Sequence, residues 1–382
     1  MVPDNALSVG VGVGAESCDI ALDLGEIHPS SHGAFRLAVR ADGVGDDARV
    51  TWADPQPGLL HRGTEKLLEA RDYRQGLMLA NRHDWLSAMT SEVAMALAVE
   101  ELLGLRVPPR ATWLRTTLCE ISRLSSALMH LCGVATLPPL GRPALGVPGM
   151  AARESLLTCL EEASGGRMHV MVTRLGGLVN DVPDGWAEQV VQAVDTVRRE
   201  LPALAEAVDS TMPPSGTARL TREDAVVFAT SGPVARASGV DFDLRRDAAA
   251  LAYPELADLV RVARAEEGDV AARYRVLLEQ CSHDLDLLLG CVERTPDGEV
   301  NVPLPKTVRA PEGAAYGWLE SATGITGAYV VSTGATVPWR VRLRTASYAN
   351  VQAMSAALPG TRLADLAAAV GSFMFVAGDV DH

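Results

Sequence analysis

Two segments of this 382-residue chain crowd reactive side chains together. In His28-Pro-Ser-Ser-His-Gly33, His28 and His32 stand four positions apart, which can put two imidazoles on one side of a turn. Such a pair can ligate a metal, donate a proton, or serve as a hydrogen-bonding staple. A metal would need further ligands, and the other histidines supply no recognisable partner pair. The second segment, Gly58-Leu-Leu-His-Arg-Gly-Thr-Glu-Lys66, gathers His61, Arg62, Glu65 and Lys66 at the start of a helix, with Thr64 as a possible cap. A buried ion-pair network is the plain reading of that cluster. A third motif is a decoy. Gly10-Val-Gly-Val-Gly-Ala15 fits a dinucleotide fingerprint, but strand-like sequence follows it where a helix is needed, so it reads as a tail. Walker loop, HExxH and nucleophile elbow are all missing, which leaves phosphoryl transfer and hydrolysis without support.

Composition narrows the class further. Apolar residues make up 48% and charged residues 21%, the balance of a folded globular chain. A net charge of −14 argues against nucleic-acid binding and against a polybasic hold on anionic lipid, so any membrane association is expected to run through another protein. The N-terminus lacks a basic region followed by an apolar run, and the stretch from Leu366 to Gly378 is shorter than a spanning helix needs, which suggests a cytosolic chain. Six cysteines are scattered singly, with no CxxC pair, and read as reduced, buried small hydrophobes.

The elements that must position these groups fall into three regions, 1–58, 59–292 and 293–382. In the first, Ile20-Ala-Leu-Asp-Leu, Phe35-Arg-Leu-Ala-Val and Val50-Thr-Trp are divided by Gly and Asp clusters, the pattern of a small antiparallel sheet. The second is helical. Trp113, Thr117, Ile121, Leu124, Leu128 and Leu131 recur at three and four, and runs over 87–103, 186–208 and 271–289 are too long for strands. These helices are expected to pack as a bundle. Alternation returns in Gly327-Ala-Tyr-Val-Val-Ser and Trp339-Arg-Val-Arg-Leu-Arg, followed by an apolar helix from Leu363. The fold class is therefore α+β: a central long-helix bundle with an N-terminal antiparallel β region and a C-terminal α/β segment.

Both reactive segments resemble signature stretches of the D subunit of NADH-quinone oxidoreductase, the respiratory complex I subunit related to the nickel-iron hydrogenase large subunit. Further stretches look like family segments in family order: Ala98-Val-Glu-Glu-Leu-Leu-Gly, Pro108-Pro-Arg-Ala-Thr-Trp-Leu-Arg115, Glu120-Ile-Ser-Arg-Leu, Gly166-Arg-Met-His-Val, Arg174-Leu-Gly-Gly, Ser238-Gly-Val-Asp-Phe-Asp-Leu-Arg245 and the ending Gly378-Asp-Val-Asp. The likeness runs from about residue 19 to the end. It implies a hydrogenase large-subunit-like fold whose bimetallic cavity has become a quinone pocket. A nickel-iron centre takes four thiolates from two CxxC motifs, and this sequence has neither.

By that resemblance His28, His32, Trp85 and Met89 would bind quinone, with His32 as the catalytic proton donor. His61 and Arg62 would face the iron-sulfur-carrying partner, Arg62 raising its cluster's potential. The chain itself would hold no metal or cofactor. Iron-sulfur clusters, FMN and NADH would sit in partners that include B-type and C-type iron-sulfur subunits and membrane subunits. The complex would lie at the cytoplasmic side of the cell membrane and couple quinone reduction to proton translocation. Two departures bear on this. Trp85 stands where the family has a tyrosine, and an indole N–H can donate a hydrogen bond but no proton. Ungapped counting also puts Leu137 where the family has the aspartate that pairs with the loop histidine. His83, Glu92 and His130 read as packing or surface groups.

Overall fold

A computed structural model of the chain describes residues 17–23, 35–43, 48–135 and 149–382, the first of these through its backbone. His28, His32, Gly10–Ala15 and Leu137 lie outside the described residues. The N-terminal sheet is a meander of β1 (Ser17–Asp23), β2 (Arg36–Asp42) and β3 (Arg49–Gln56), paired antiparallel in the order β1-β2-β3. Along β2, Leu37, Val39 and Ala41 are buried while Arg36, Arg40 and Asp42 are exposed, the two-residue period of a half-buried strand. Trp52 on β3 remains exposed, with Arg40 stacked above its ring.

Two short helices follow, α1 (Thr64–Glu69) and α2 (Tyr73–His83). Asp72 caps α2, its carboxylate accepting from the backbone of Arg74 and Gln75. Next come α3 (Ala88–Leu103), α4 (Pro109–Ala135), α5 (Met150–Ser164) and α6 (Trp186–Asp209). Between α5 and α6 lies a small hairpin of β4 (Thr173–Arg174) and β5 (Gly177–Leu178). The expected stripe on α4 is buried from Trp113 to Leu131, but Arg115, Glu120 and Arg123 on its other faces are buried too. A helix enclosed on all sides must carry its charges inside, which is why apolar periodicity alone understates its burial. Short helices α7 (Arg222–Val227), α8 (Gly232–Ala237) and α9 (Leu244–Asp247) lead to α10 (Val270–Arg294), whose cap is Asp269. Helices α4, α5, α6 and α10 pack against one another around the main apolar core.

The C-terminal sheet, β6 (Gly313–Glu320), β7 (Ile325–Ser332) and β8 (Arg340–Arg344), is antiparallel and lies against α3. Gly317 makes that approach possible, because a Cβ there would sit 2.1 Å from the Ala94 carbonyl. Beyond the sheet are α11 (Ala346–Gln352), α12 (Met354–Ala357), α13 (Leu366–Gly371) and α14 (Ala377–Val380). The single apolar helix expected from Leu363 is broken between α13 and α14. Met374 has φ 42°, and Arg273 donates to Ser372 Oγ at 2.6 Å, so the chain turns there while Phe373 and Phe375 enter the core. That turn brings residues 377–382 back to the end of α2.

Five described cysteines are free and buried, in keeping with the reading as small hydrophobes. Burial pushes the Cys132 and Cys159 thiols up to about 11. Among the described residues no helix is long and apolar enough to cross a membrane.

Candidate functional site

The returning C-terminus converges with two other parts of the sequence. Asp381 accepts from the backbone N–H groups of Gly58 at 2.6 Å and Leu60 at 2.7 Å, and its carbonyl accepts from His61 Nδ1 at 3.0 Å. Arg62 reaches the last turn of α2, donating to the Arg82 carbonyl at 3.2 Å. Trp85 lies in the link between α2 and α3. A Cβ on Gly378 would be 2.5 Å from the indole ring and 2.8 Å from the His83 carbonyl, so Gly378 is the residue that lets Trp85 cover the C-terminal backbone. Trp85 is partly buried against the main core, and Met89 in α3 belongs to that core with no exposed surface. His61, Arg62 and Trp85 therefore gather at one end of the molecule, around residues 378–382. Gly33 and the two loop histidines before it lie outside the described residues, so their relation to Trp85 stays an expectation.

The expected buried ion-pair network around His61 to Lys66 is not what forms. His61, Arg62 and Lys66 are exposed, and Lys66 reaches from solvent to pair with Glu69 at 2.7 Å. Glu65 instead turns to the C-terminal sheet, accepting from Arg340 at 2.9 Å, Arg342 at 3.0 Å and the Leu343 N–H at 2.9 Å. Thr64 does not cap α1. Gly63 occupies that position, no side chain completes it, and Thr64 is the buried first residue of the helix. A helix of 6 residues at the surface has room for its charges to point outward, whereas α4 does not.

His83, Glu92 and His130, read as packing or surface groups, are all buried. His130 stacks on Tyr274 with ring centroids 5.8 Å apart, a packing role. Glu92 ties α2 to β4: Asn81 donates to it at 2.7 Å and the Thr173 N–H at 2.6 Å, while burial raises its carboxyl above the usual range. His83 does more. Its Nδ1–H donates to the Ala80 carbonyl at 2.7 Å, and Nε2 stands 3.4 Å from Asp379 Oδ1, with both side chains almost wholly buried. Asp84 follows in the chain. Its Oδ1 accepts from the N–H groups of Leu86 and Ser87, while Oδ2 is buried with no hydrogen-bond partner among the described residues. Burial, reinforced by the Asp379 charge, pushes the Asp84 carboxyl up to about 7. Burial works against the imidazolium of His83, but the Asp379 and Asp84 carboxylates outweigh it and raise His83 above the ordinary histidine value. Sequence reasoning misses Asp84 and Asp379. A His-Asp pair ending a helix is visible, but the partner carboxylate is almost three hundred residues away, as the positions 84 and 379 show.

An open cleft of about 830 Å³ lies elsewhere, between α2, β4 and residues 301–304, lined by Arg74, Met78, Glu92, Arg174, Val302 and Leu304 among others. It does not include Trp85, Met89, His61 or Arg62. Among the described residues no group of three or more His, Cys, Asp or Glu side chains is arranged to hold a metal ion.

A long-helix bundle flanked by antiparallel sheets, with the chain end folded back onto a helix link, is the architecture of a known respiratory protein. A chain in the structure of the archaeal membrane-bound sulfane sulfur reductase, described as a respiratory membrane complex, matches with a TM-score of 0.88 at 30% identity, over 97% of this chain and all of that one. Curated relatives agree. The chain is 46% identical to an NADH-quinone oxidoreductase D subunit of Streptomyces coelicolor, the one numbered 1, with 100% of both covered. It is 47% identical to the D subunit numbered 2 of Salinispora tropica, with 98% of this chain and 97% of the relative covered. A more distant relative, the D subunit of Geobacillus kaustophilus, is 34% identical over 95% of this chain and 98% of its own length. The family model described as "Respiratory-chain NADH dehydrogenase, 49 Kd subunit" matches residues 140–308 and 303–382. This chain belongs to that family.

Proposed function

We propose that the chain is the D subunit of an NADH-quinone oxidoreductase, forming the quinone-reduction pocket with an adjacent iron-sulfur subunit in a complex that couples the reaction to proton translocation. The observation that carries this is the end-to-end match to relatives bearing that name, with Trp85 and the His61–Arg62 segment meeting at one end of the bundle. On this reading Trp85 walls the pocket, Met89 backs it from the core, and His28 and His32 face the quinone from the N-terminal loop, His32 delivering a proton. His61 and Arg62, exposed beside the chain terminus, are available to a B-type partner carrying the cluster. Electrons come from that partner. FMN, NADH and the iron-sulfur clusters belong to the partners, which include a C-type iron-sulfur subunit and membrane subunits, and the chain is peripheral on the cytoplasmic face of the membrane.

One observation favours a second reading. Trp85 fills the tyrosine's place and cannot give up a proton, as expected of a divergent paralogue that serves as a structural or alternative-acceptor subunit. NADH-driven quinone reduction by the assembled complex separates the two. Under the first reading Trp85→Tyr raises turnover by a small part of the roughly 10²–10⁴-fold that a positioned acid can contribute, and His32→Ala lowers it without loss of assembly. If both variants match the wild type, the chemistry is not in this pocket and the structural reading replaces the catalytic one.

A further inference from the structure

The pocket reading leaves a proton unaccounted for. Reducing a quinone by two electrons makes two new O–H bonds, and the indole at position 85 supplies neither proton. Directly behind it, the end of α2, the link to α3 and the C-terminal segment bring three titratable side chains into one dry space. His83, Asp84 and Asp379 are each at most 2% exposed. Among the described residues Asp84 Oδ2 has no hydrogen-bond partner, and His83 Nε2 and Asp379 Oδ1 face each other at 3.4 Å, a contact too loose for a good hydrogen bond. An ionised Asp84 with one oxygen unpartnered is disfavoured in such a place, whereas a carboxylic acid there is not.

We propose that His83, Asp84 and Asp379 form a buried proton store serving the pocket that Trp85 walls. The inference rests on the quinone reading above and deepens it. Other charged groups are turned away from the store. Arg82, on the same helix, donates to Asn81 Oδ1, and Arg62 is engaged with the Arg82 carbonyl. The elements packed around the store contribute neutral groups, the Ser347 N–H of α11 on Asp379 Oδ2 at 3.1 Å and the Ser87 N–H on Asp84. Asp381, two residues beyond Asp379, is held by Gly58 and Leu60. Two carboxyls and one imidazole with no fixed cation reach zero net charge only with two protons among them: an imidazolium, one carboxylate and one carboxylic acid. Losing one proton leaves a net charge of −1, and the group's character as a store lies in that second proton.

Atoms and charge balance in the transfer. Two electrons arrive from the iron-sulfur partner, the O–H bond of the carboxylic acid breaks, a water molecule relays the proton that the indole cannot carry, and an O–H bond forms on the reduced quinone. A second proton comes from the other side of the pocket, where His32 is expected, and the store refills from solvent. Trp85, which walls the pocket on the quinone reading, is adjacent in sequence to Asp84 and stacked on the Gly378 backbone next to Asp379. These three residues hold and position the proton.

The experiment is a pH titration of the purified complex by infrared difference spectroscopy, read at the protonated-carboxyl C=O band, alongside the pH profile of NADH-driven quinone reduction. Expected is a carboxyl that titrates near neutral pH and vanishes in Asp84→Asn. In His83→Leu the same titration moves to higher pH, because the imidazolium that favoured ionisation is gone, and the alkaline limb of turnover moves with it. Asp84→Asn should lower turnover by roughly 10²-fold, the low end for a positioned acid, and by less when Trp85→Tyr supplies a second donor. Absence of a carboxyl titrating near neutral pH in the wild type overturns the store. A band that shifts in His83→Leu while the turnover profile stays put overturns its role in quinone reduction. Should Asp84→Asn fail to assemble, the His83→Leu shift decides. If the wild-type complex reduces no quinone, the functional reading falls, while the infrared titration still settles whether the store exists.

Discussion

Two buried charge clusters in this chain behave differently, and the contrast lies in which cations they contain. In the helix bundle Arg123, Arg236 and Arg245 meet Glu120, Asp243, Asp284 and Glu320. Arg123 contacts Asp284 at 2.6 Å and Glu120 at 2.7 Å, Arg245 contacts Asp243 at 2.7 Å and Asp284 at 2.9 Å, and Arg236 contacts Glu320 at 2.7 Å. Tyr253 adds its hydroxyl to Glu120 at 2.6 Å. Burial opposes the ionised form of Asp243, but Arg245 and Arg236 overcome it and hold the carboxyl far below the usual range. Glu320 is pushed up, by burial and by Asp243. Each carboxylate there touches a guanidinium that never gives up its proton. Among the described residues the cluster at the end of α2 has a histidine as its cation, and burial pushes its Asp84 carboxyl up to about 7, so its charge can change where that of the brace cannot. Fixed cations make a brace, and a titratable one makes a site that can take up and release protons.

The largest break in this comparison is Arg245→Ala. Removing one guanidinium leaves Asp243, Asp284 and Glu120 buried without their shared cation, a change that costs about 3–5 kcal/mol where a buried pair is split. The expected result is a chain that no longer assembles or that melts far below the wild type, seen by thermal denaturation of the purified complex. A wild-type melting curve would mean that the bundle cluster is not the brace described.

A smaller effect, about 1–3 kcal/mol, is expected from Gly378→Ala, because the new methyl has to displace either the Trp85 ring at 2.5 Å or the His83 carbonyl at 2.8 Å. It should lower quinone turnover more than it lowers the melting temperature, since the displaced ring walls the pocket while the bundle is untouched. Equal proportional losses in both would indicate that the contact is only structural.

The pH dependence of stability sharpens the contrast without large losses. Asp84 is raised from 3.8 to about 7 in the folded chain, so between those values the folded state binds a proton that the unfolded state has released. Stability therefore falls as pH rises from about 4 to about 7 and stays lower above that. His83, also raised, acts in the same direction, its contribution being present at low pH and lost as pH rises through its folded value. Asp84→Asn keeps an Oδ1 acceptor for Leu86 and Ser87 but removes the ionisation, so the variant should gain stability relative to the wild type above about pH 7 and little below about pH 4. Denaturant melts at several pH values test this, and a difference independent of pH would contradict it.

The same contrast explains how far the sequence can be read. Long elements are legible, because 16 uninterrupted residues in α3 or 27 in α4 leave no room for a strand and their apolar spacing repeats several times. The segments Glu120-Ile-Ser-Arg-Leu and Ser238 to Arg245, which carry part of the resemblance, supply Glu120, Arg123, Asp243 and Arg245 to the brace, although their pairing across more than a hundred residues leaves no mark in the sequence. The charged run from His61 to Lys66 misleads, because a dense run of charges looks alike whether α1 is enclosed or lies at the surface. His83 hides for the opposite reason. A lone histidine at the end of an amphipathic helix carries no sign of burial, and the turn at Met374, beyond the end of α13, delivers Asp379 to it.

The smallest expected effect lies at the surface. Lys66 has a side chain 78% exposed and one partner, Glu69, at 2.7 Å, while Glu69 also receives Arg340 at 2.6 Å. Losing one exposed partner from a carboxylate that keeps another should shift stability by no more than about 0.5 kcal/mol, and by less at high salt, because solvent already screens the charge. Lys66→Ala is therefore expected to melt almost with the wild type and to leave quinone turnover unchanged, whereas Arg340→Ala should cost somewhat more by removing one cation from both Glu65 and Glu69. Thermal denaturation at low and high salt measures both. A Lys66→Ala loss approaching that of Arg245→Ala would mean that the charged segment is buried in the assembled complex, and would move it from the solvent-facing class to the braced one.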